Sequence, residues 1–390
     1  MEATIVRDAG SAEAEWRPVP FRQFVLKIHS RCDLACSHCY MYTAADQGWR
    51  DQPRVMSPRT VAATAARIGE HIAAHGLTGV RVILHGGEPL LAGGERIAEV
   101  VRSVRENAGA PVSFHLQTNG TLLTGPLLDT LDDLDVRIGV SLDGDAAAHD
   151  RLRRHADGRG SHARVAEGIA LLNGRHRRLF GGLLCTVDLR NDPVAVYEAL
   201  LAHDPPEIDF LLPHGTWSAP PPGLPSAGTP YAAWLLRAFD AWRTRPVTEV
   251  RMFRDLLHLL LGGRTSTEGL GLAPVAVAVV ETDGSIEQSD ILKIAFQGAS
   301  GTGLHVATDP FDAALPLPSV RARQTGLGAL CEQCRACPVV RVCGGGLYAH
   351  RYRAGSGFAN PSVYCDDLYA LITSVRGRLT DDLTRIGSHA

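Results

Sequence analysis

Short apolar runs alternate with amphipathic stretches through residues 24–213. Six of the runs have the length and the β-branched content of buried strands. These predicted strands are residues 24–29, 79–84, 112–117, 136–141, 179–187 and 207–212. Helices are predicted between them, at residues 57–76, 95–107, 127–132, 162–172 and 193–201. The alternation of strand and helix predicts parallel βα units.

Six such units can curl into a partial (β/α)6 TIM-like barrel, in which functional side chains gather where the strands end. A proline-rich stretch at residues 218–230 interrupts the pattern and precedes an aromatic helix at residues 231–243. Beyond it we expect a hairpin around Asp283-Gly284 and a terminal helix from about Asp366. We therefore predict an α/β protein with an irregular segment at residues 1–20, a barrel at residues 21–247 and a smaller domain at residues 248–390.

Composition narrows the class of protein. Of the 390 residues, 45% are hydrophobic and 21% are charged, which suits a globular chain with more than one core. The net charge of -3 gives no basic field that would attract nucleic acid or an anionic membrane. Residues 1–20 lack the pattern of a signal peptide, and no apolar run approaches the ~20 residues of a membrane helix. We predict a cytoplasmic protein without nucleic-acid or membrane partners.

Eight of the nine cysteines fall into two groups. The groups are Cys32, Cys36 and Cys39, and then Cys331, Cys334, Cys337, Cys343 and Cys365. In a reducing compartment, such clusters indicate metal binding or catalysis more often than disulfides. The ninth, Cys185, lies within an apolar strand and is predicted to be a buried core thiol.

The first group has the spacing CxxxCxxC and directly follows the first predicted strand. Three thiolates at this spacing can hold three irons of a [4Fe-4S] cube and leave the fourth iron open. S-adenosylmethionine (SAM) can fill the open position through its amino and carboxylate groups. The alternative is a zinc site, in which His29 or His38 completes a Cys3His tetrahedron.

The same residues resemble the signature of the radical SAM superfamily, CxxxCxΦC, with His38 at the aromatic position. The second predicted strand ends in His85-Gly86-Gly87-Glu88-Pro89, which resembles the GGEP motif of that superfamily. The two glycines allow a close backbone approach to a ligand, and Glu88 can orient the loop near the methionyl ammonium of SAM. The resemblance implies SAM contacts from His38, Tyr40, Gly86, Gly87, Glu88 and Pro89.

Polar residues also follow the third and fourth predicted strands. They are Thr118 and Asn119 in QTNG, and Ser141 and Asp143 in SLDG. Their side chains suit hydrogen bonds to the ribose or the carboxylate of SAM, and the family resemblance places Ser141 near the carboxylate. Arg153 has three open interpretations: it assists at that carboxylate, holds the substrate, or forms a surface ion pair.

The second cysteine group resembles the C-terminal half of a SPASM domain, the auxiliary-cluster module of peptide-modifying radical SAM enzymes. Its ligands would be Cys334, Cys337, Cys343 and Cys365, which can complete a closed [4Fe-4S] site. A zinc ion bound by these cysteines is again the alternative. Cys331 is surplus and is interpreted as a spectator.

The chain departs from a full SPASM domain, which carries a further cluster. Two positions that hold cysteines in that domain are Ser289 and Leu347 here. We therefore predict one auxiliary [4Fe-4S] cluster. Asp290 corresponds, by resemblance, to an acid that sulfatase-maturing relatives use to take a proton from the substrate; its alternative role is that of a solvated hairpin carboxylate.

The phrases HGGEPLL and CGGGLYAHRY...GFANPSVYC resemble the FxsB-type, cyclophane-forming radical SAM/SPASM peptide maturases. The resemblance implies that a 5'-deoxyadenosyl radical is generated from SAM and that an aromatic ring carbon is joined to a β-carbon in a ribosomal precursor peptide. Asp290 would be the catalytic base, and flavodoxin or ferredoxin would donate electrons. Two alternatives stay open: a formylglycine- or thioether-forming maturase, and a non-catalytic iron-sulfur or zinc protein.

Overall fold

The six predicted strands are all present in the computed structural model, which describes residues 16–387. They are β1 (Gln23–His29), β2 (Val80–Gly86), β3 (Val112–Thr118), β4 (Val136–Ser141), β5 (Phe180–Thr186) and β6 (Glu207–Leu211). Each pairs in parallel with the next one in the chain. Because the order never reverses, the strands form a barrel-type wall rather than a doubly wound sheet. The predicted α/β class with a parallel, barrel-type sheet is confirmed.

Helices connect the parallel strands as expected. They are α1 (Pro58–His75), α2 (Gly93–Ala108), α3 (Gly125–Asp133), α4 (Ala146–Leu152), α5 (His162–Asn173) and α6 (Pro193–Leu201). Local sequence sets their ends: Ser57 Oγ accepts a hydrogen bond from the Thr60 backbone at 3.1 Å, and Gly76 ends α1 in a left-handed conformation. The hydrophobic periodicity does not predict α4, which is seven residues long.

The later part of the chain adds strands to both edges of this wall. They are β7 (Glu249–Val250), β8 (Val277–Val280), β9 (Ser285–Glu287) and β10 (Gly301–His305). The sheet order is β10-β9-β8-β1-β2-β3-β4-β5-β6-β7. The hairpin expected around Asp283-Gly284 is formed by β8 and β9, and β8 pairs in parallel with β1. Residues that follow the hairpin are therefore brought beside β1.

The remaining helices surround the second cysteine group and the far edge of the sheet. They are α7 (Pro230–Thr244), α8 (Arg251–Leu260), α9 (Pro318–Ala322), α10 (Glu332–Arg335), α11 (Val340–Cys343) and α12 (Cys365–Gly387). Within the described range, every helix is too short or too polar to span a bilayer. Residues 1–15 of the predicted irregular segment lie outside the described residues, and the division at residue 247 stays a prediction.

Candidate active site

The first cysteine group lies on the loop that follows β1. Backbone hydrogen bonds hold this loop in place, from Ala35 N to Arg154 O at 2.7 Å and from Ser37 N to Leu152 O at 3.1 Å. Cys32, Cys36 and Cys39 are free thiols that are partly exposed to solvent. Burial raises the pKa of Cys36 to about 11 and that of Cys32 higher still. A bound cationic centre would therefore be needed to hold both as thiolates at neutral pH.

The spacing of the thiols distinguishes a single zinc ion from a larger centre. Tetrahedral zinc, with Zn–S bonds of about 2.3 Å, brings its sulfurs to about 3.8 Å from one another. Over residues 16–387, three or more ligand atoms lie mutually within 4.8 Å only in a group of two histidines and an aspartate. Nδ1 of His29 lies 3.0 Å from Arg31 O and is engaged there. Within residues 16–387, neither cysteine group therefore brings three sulfur atoms as close together as a single zinc ion requires.

His38 has an unpartnered nitrogen. Its Nε2 lies 3.9 Å from Asp143 Oδ2, whereas its Nδ1 is buried and has no hydrogen-bond partner within the described chain. Burial lowers the pKa of His38 to about 4, so the ring is neutral at pH 7. An orphaned polar atom beside the cysteine loop requires a partner, as the expected contact with SAM would provide.

Gly86 and Gly87 allow the end of β2 to lie against the cysteine loop. Gly87 N donates to His29 O at 2.8 Å, and Glu88 N donates to Arg31 O at 2.9 Å. A Cβ on Gly87 would lie 1.8 Å from Tyr42 Oη and 2.5 Å from Arg31 O. Close approach of these glycines to a ligand stays a prediction; within the chain, their close neighbour is the segment at the end of β1 that carries the cysteines.

Glu88 connects three segments of the site. Its carboxylate accepts hydrogen bonds from Leu90 N at 3.0 Å, from Thr118 Oγ1 at 2.7 Å and from Asn119 N at 2.8 Å. The side chain is buried, which raises the pKa of Glu88 to about 7. Pro89, also buried, begins a short 3-10 helix, Pro89–Ala92. Glu88 therefore orients the loop after β2 and fixes it to the end of β3.

The end of β3 reaches back to the first cysteine. Asn119 Nδ2 donates to Asp33 Oδ1 at 2.8 Å and lies 3.6 Å from Cys32 Sγ. Thr121 Oγ1 donates to the other carboxylate oxygen of Asp33 at 2.7 Å. Asn119 and Thr121 thus position the cysteine loop, whereas Thr118 bonds Glu88, so the ends of the first three strands form one hydrogen-bonded unit.

A buried ion pair follows β4. Arg153 Nε donates to Asp143 Oδ2 at 2.6 Å, and Thr186 N donates to Oδ1 at 2.9 Å. Burial raises the pKa of Asp143, but Arg153, His38 and His149 together oppose this effect and the net pKa is lowered. The Arg153 side chain is only 13% exposed, so the surface ion pair considered from sequence is a buried one. Nearby, Ser141 Oγ accepts from Gln117 Nε2 at 3.1 Å.

Asp290 is buried beside β1 and is not the solvated hairpin carboxylate considered from sequence. Its Oδ2 accepts from Lys27 Nζ and from Tyr40 Oη, both at 2.7 Å. Burial raises the pKa of Asp290, but Lys27 and His85 outweigh it and the net pKa is strongly lowered. Asp290 is therefore ionised at neutral pH. Tyr40 was expected among the SAM contacts, and its hydroxyl donates a hydrogen bond to this carboxylate.

Three residues of this region are not among the site residues predicted from the sequence. Lys27 is a charged residue inside the apolar strand β1, and that anomaly was the available signal. His85 is the penultimate residue of β2, next to the GGEP glycines, and burial lowers its pKa to about 4. His214 follows β6, and its ring centroid lies 5.0 Å from that of Tyr40. The rule that functional side chains gather at strand ends would have identified both histidines.

The second cysteine group surrounds a cavity of about 170 Å³. The four cysteines that line it are Cys334, Cys337, Cys343 and Cys365, whereas Cys331 is not part of the lining. A sulfur-lined cavity of this kind is chemically suited to an iron-sulfur cluster. Cys185, in contrast, is fully buried in the core, as predicted.

Three glycines follow Cys343 with positive φ angles of 62°, 78° and 66°. The Arg351 guanidinium donates to the carbonyl oxygens of all three, Gly344, Gly345 and Gly346, at 2.8, 3.0 and 2.8 Å. Burial raises the pKa of Cys343, and backbone hydrogen bonds from Gly345 and Gly346 oppose that rise. Arg351 thus fixes the turn whose amides favour the thiolate.

Ser289 and Leu347, the positions at which the SPASM resemblance would place cysteines, lie near an internal ion pair. Arg323 donates to Glu268 Oε2 at 2.7 Å and to Gln288 O, directly before Ser289, at 2.7 Å. Leu347 Cβ is 3.9 Å from the position of a Cβ on Gly269, the neighbour of Glu268.

Comparisons with known proteins agree with this geometry. The family profile described as "Radical SAM superfamily" matches residues 26–186. A serine-type anaerobic sulfatase-maturating enzyme of Klebsiella aerogenes is 26% identical over 348 residues, which cover 87% of this chain and 82% of that protein. A cysteine-type anaerobic sulfatase-maturating enzyme of Clostridium novyi (strain NT) is 25% identical over 272 residues, with coverage of 67% and 71%.

The fold is shared with a solved structure, native anSMEcpe with bound AdoMet and Cp18Cys peptide. The TM-score is 0.78 at 21% sequence identity, and the match covers 93% of this chain and 99% of the chain in that structure. The family match supports SAM and iron-sulfur clusters as the cofactors. Residues 26–186 form a radical SAM domain, and the chain is homologous to the anaerobic sulfatase-maturating enzymes.

Proposed function

We propose that the chain is a peptide maturase that joins an aromatic ring carbon to a β-carbon in a ribosomal precursor peptide, forming a cyclophane. The sequence motifs HGGEPLL and CGGGLYAHRY...GFANPSVYC support cyclophane formation over the other reactions of radical SAM maturases. The structural observation behind the proposal is the buried carboxylate of Asp290, which adjoins both β1 and the cysteine loop; it also suits formylglycine formation, so the choice of a cyclophane rests on the sequence motifs. A proton acceptor at this point suits an oxidative crosslink.

In this proposal, Cys32, Cys36 and Cys39 hold one [4Fe-4S] cluster, and the four cysteines that line the second cavity hold one auxiliary cluster. When bound, the first cluster and SAM supply a carbon radical that removes a hydrogen atom, and the auxiliary cluster supplies an electron acceptor. His38, Ser141, Asp143 and Arg153 contribute the polar wall for SAM. Glu88, Thr118 and Asn119 orient the loops that form this wall.

Crosslinking removes two hydrogens from the peptide: one as an atom, and the other as an electron and a proton. Asp290 accepts the proton in this proposal. Because Lys27 lowers the pKa of Asp290, the carboxylate takes a proton only from a strong acid. A ring carbon that regains aromaticity by losing its proton is such an acid. Lys27 and Tyr40 hold the carboxylate in one orientation.

Formylglycine formation from serine or cysteine is the second candidate. Homology to a serine-type maturase over 87% of the chain favours it. Oxidation of serine to formylglycine also removes two hydrogens, so intact mass does not separate the two reactions. A carbonyl-reactive probe does separate them, because only formylglycine carries an aldehyde.

The test is anaerobic coexpression of the chain with small neighbouring open reading frames, followed by peptide fragmentation. The proposal predicts loss of two hydrogens, no reaction with a carbonyl probe, and missing fragments between the two joined residues. A probe-reactive product with normal fragmentation would establish formylglycine instead. Reconstituted protein that cleaves no SAM under strong reductant would refute both.

A further inference from the structure

Two histidines and an aspartate meet on the outer side of the barrel wall. His71 and His75 are four residues apart on α1, so both side chains lie on one face of the helix. Asp312 belongs to a short 3-10 helix, Phe311–Ala314, far along the chain. Its Oδ1 lies 2.5 Å from His71 Nδ1 and 3.0 Å from His75 Nε2. All three atoms are within 4.8 Å of one another.

This group is at the end of the barrel opposite to the cysteine loop. His71 Nε2 lies 3.2 Å from Phe21 O, and Phe21 precedes the first residue of β1. The first cysteine group instead follows the last residue of β1. The cluster therefore takes no part in the chemistry proposed above, since residues at the amino ends of barrel strands serve stability.

In its neutral form, His71 cannot satisfy both of its ring contacts by donating hydrogen bonds. A neutral imidazole has one N–H group, yet both ring nitrogens of His71 face an oxygen. If Nε2–H donates to Phe21 O, the lone pair of Nδ1 points at a carboxylate. His75 directs a nitrogen at the same oxygen. A cation among the three atoms would satisfy every one of these contacts.

We propose that His71, His75 and Asp312 bind one divalent transition-metal ion of the zinc or cobalt type. Two imidazole nitrogens and a carboxylate oxygen form a donor set that these ions prefer. The carbonyl of Phe21 is the outer partner that orients His71. The His71 side chain is 1% exposed, whereas those of His75 and Asp312 are 27% and 39% exposed, which leaves an entrance for the ion. The ion would fasten α1 to the segment that carries Asp312.

The test uses holoenzyme with reconstituted clusters, since free cysteines also bind zinc. Wild type, His75→Asn and Asp312→Ala are dialysed anaerobically against micromolar Zn²⁺, and zinc and iron are then quantified. His71 is left in place because it is buried. His258→Asn is the matched control, since His258 is an exposed histidine on α8 outside the cluster. We expect wild type and His258→Asn to retain one more zinc per chain than the other two variants, with equal iron in all four.

Thermal unfolding gives a second readout. At about a hundredfold excess over Kd, zinc should raise the Tm of wild type and His258→Asn by roughly 3–5 °C and leave His75→Asn unchanged. Equal zinc contents in all four proteins would overturn the proposal. The proposal would also be overturned if Asp312→Ala had a lower Tm than wild type but zinc changed the Tm of none of the proteins. A histidine–aspartate ion pair would then account for the cluster.

Discussion

The hydroxyl of Tyr40 donates to Asp290 across 250 residues of chain, at 2.7 Å. Lys27 donates to the same carboxylate oxygen at 2.7 Å. Three separate segments therefore meet at one atom: the cysteine loop, strand β1 and the chain that follows the β8–β9 hairpin. A carboxylate with two donors is held in a single orientation, which a proton acceptor requires.

Replacing Asp290 by asparagine should separate SAM cleavage from product formation. Asparagine cannot take a proton, so we expect product formation to fall by about 10²–10⁴-fold, the range for loss of a general base. The cysteine loop is unaltered, so reductive cleavage of SAM should continue. The measurement is the ratio of modified peptide to 5'-deoxyadenosine.

Two further variants distinguish loss of the base from loss of stability. Asp290→Asn leaves the buried ammonium of Lys27 unpaired, which destabilises a protein by about 3–5 kcal/mol. The double variant Lys27→Met/Asp290→Asn removes this charge and should show the same uncoupling. Asp283→Asn, on the hairpin itself, is the matched control and should resemble wild type. Product formation at the wild-type rate in the double variant would exclude Asp290 as the base.

The sequence predicted the six parallel strands because each is a short run rich in apolar and β-branched residues, and these runs alternate with predicted helices. It did not predict that β8 would pair with β1, since the partner of a short strand depends on contacts distant in the chain. That pairing brings Asp290 to Lys27. The burial of Asp290 was therefore not accessible from a local pattern, although the carboxylate itself was identified as a candidate.

Gly87→Ala should disrupt the first cysteine site. Its new Cβ would lie 1.8 Å from Tyr42 Oη and 2.5 Å from the backbone oxygen of Arg31, and the latter cannot move without shifting the cysteine loop. We expect a loss of stability of about 1–3 kcal/mol and loss of the iron held by that loop. Iron analysis and thermal unfolding measure both effects.

Gly125→Ala is the control for this substitution, because a Cβ there meets no atom within 4 Å. It should retain full iron and the wild-type Tm. If Gly87→Ala also retained full iron, the close packing of the GGEP loop on the cysteine loop would not be required for assembly of the site.

Cysteine variants should separate ligands from spectators. Cys343→Ala removes one wall of the second cavity and should cost about four irons per chain, the content of one cube. Cys331→Ser should retain its iron, because Cys331 does not line that cavity. Iron and sulfide analysis after anaerobic reconstitution provides the measurement. Loss of iron from Cys331→Ser would make Cys331 a ligand and would contradict its interpretation as a spectator.

Arg351→Met should weaken the second cysteine site without removing any ligand. Arg351 donates to the carbonyls of all three glycines after Cys343, and a lone methionine cannot replace those bonds. The released turn would lose the amides that favour the Cys343 thiolate, and the site would lose a nearby positive charge. Both changes disfavour added negative charge, so the reduction potential of a cluster there should become more negative.

Loss of such an outer partner weakens metal binding by about 10–100-fold, which a chelator challenge would detect. Arg353→Met is the matched control, because Arg353 lies over the Trp217 ring, 4.5 Å from its centroid, and is two positions from Arg351. An EPR-monitored redox titration of both variants measures the potential. If Arg351→Met has the same reduction potential as Arg353→Met and loses no more iron to the chelator, the glycine turn keeps its conformation without Arg351. Arg351 would then have no role in tuning the site.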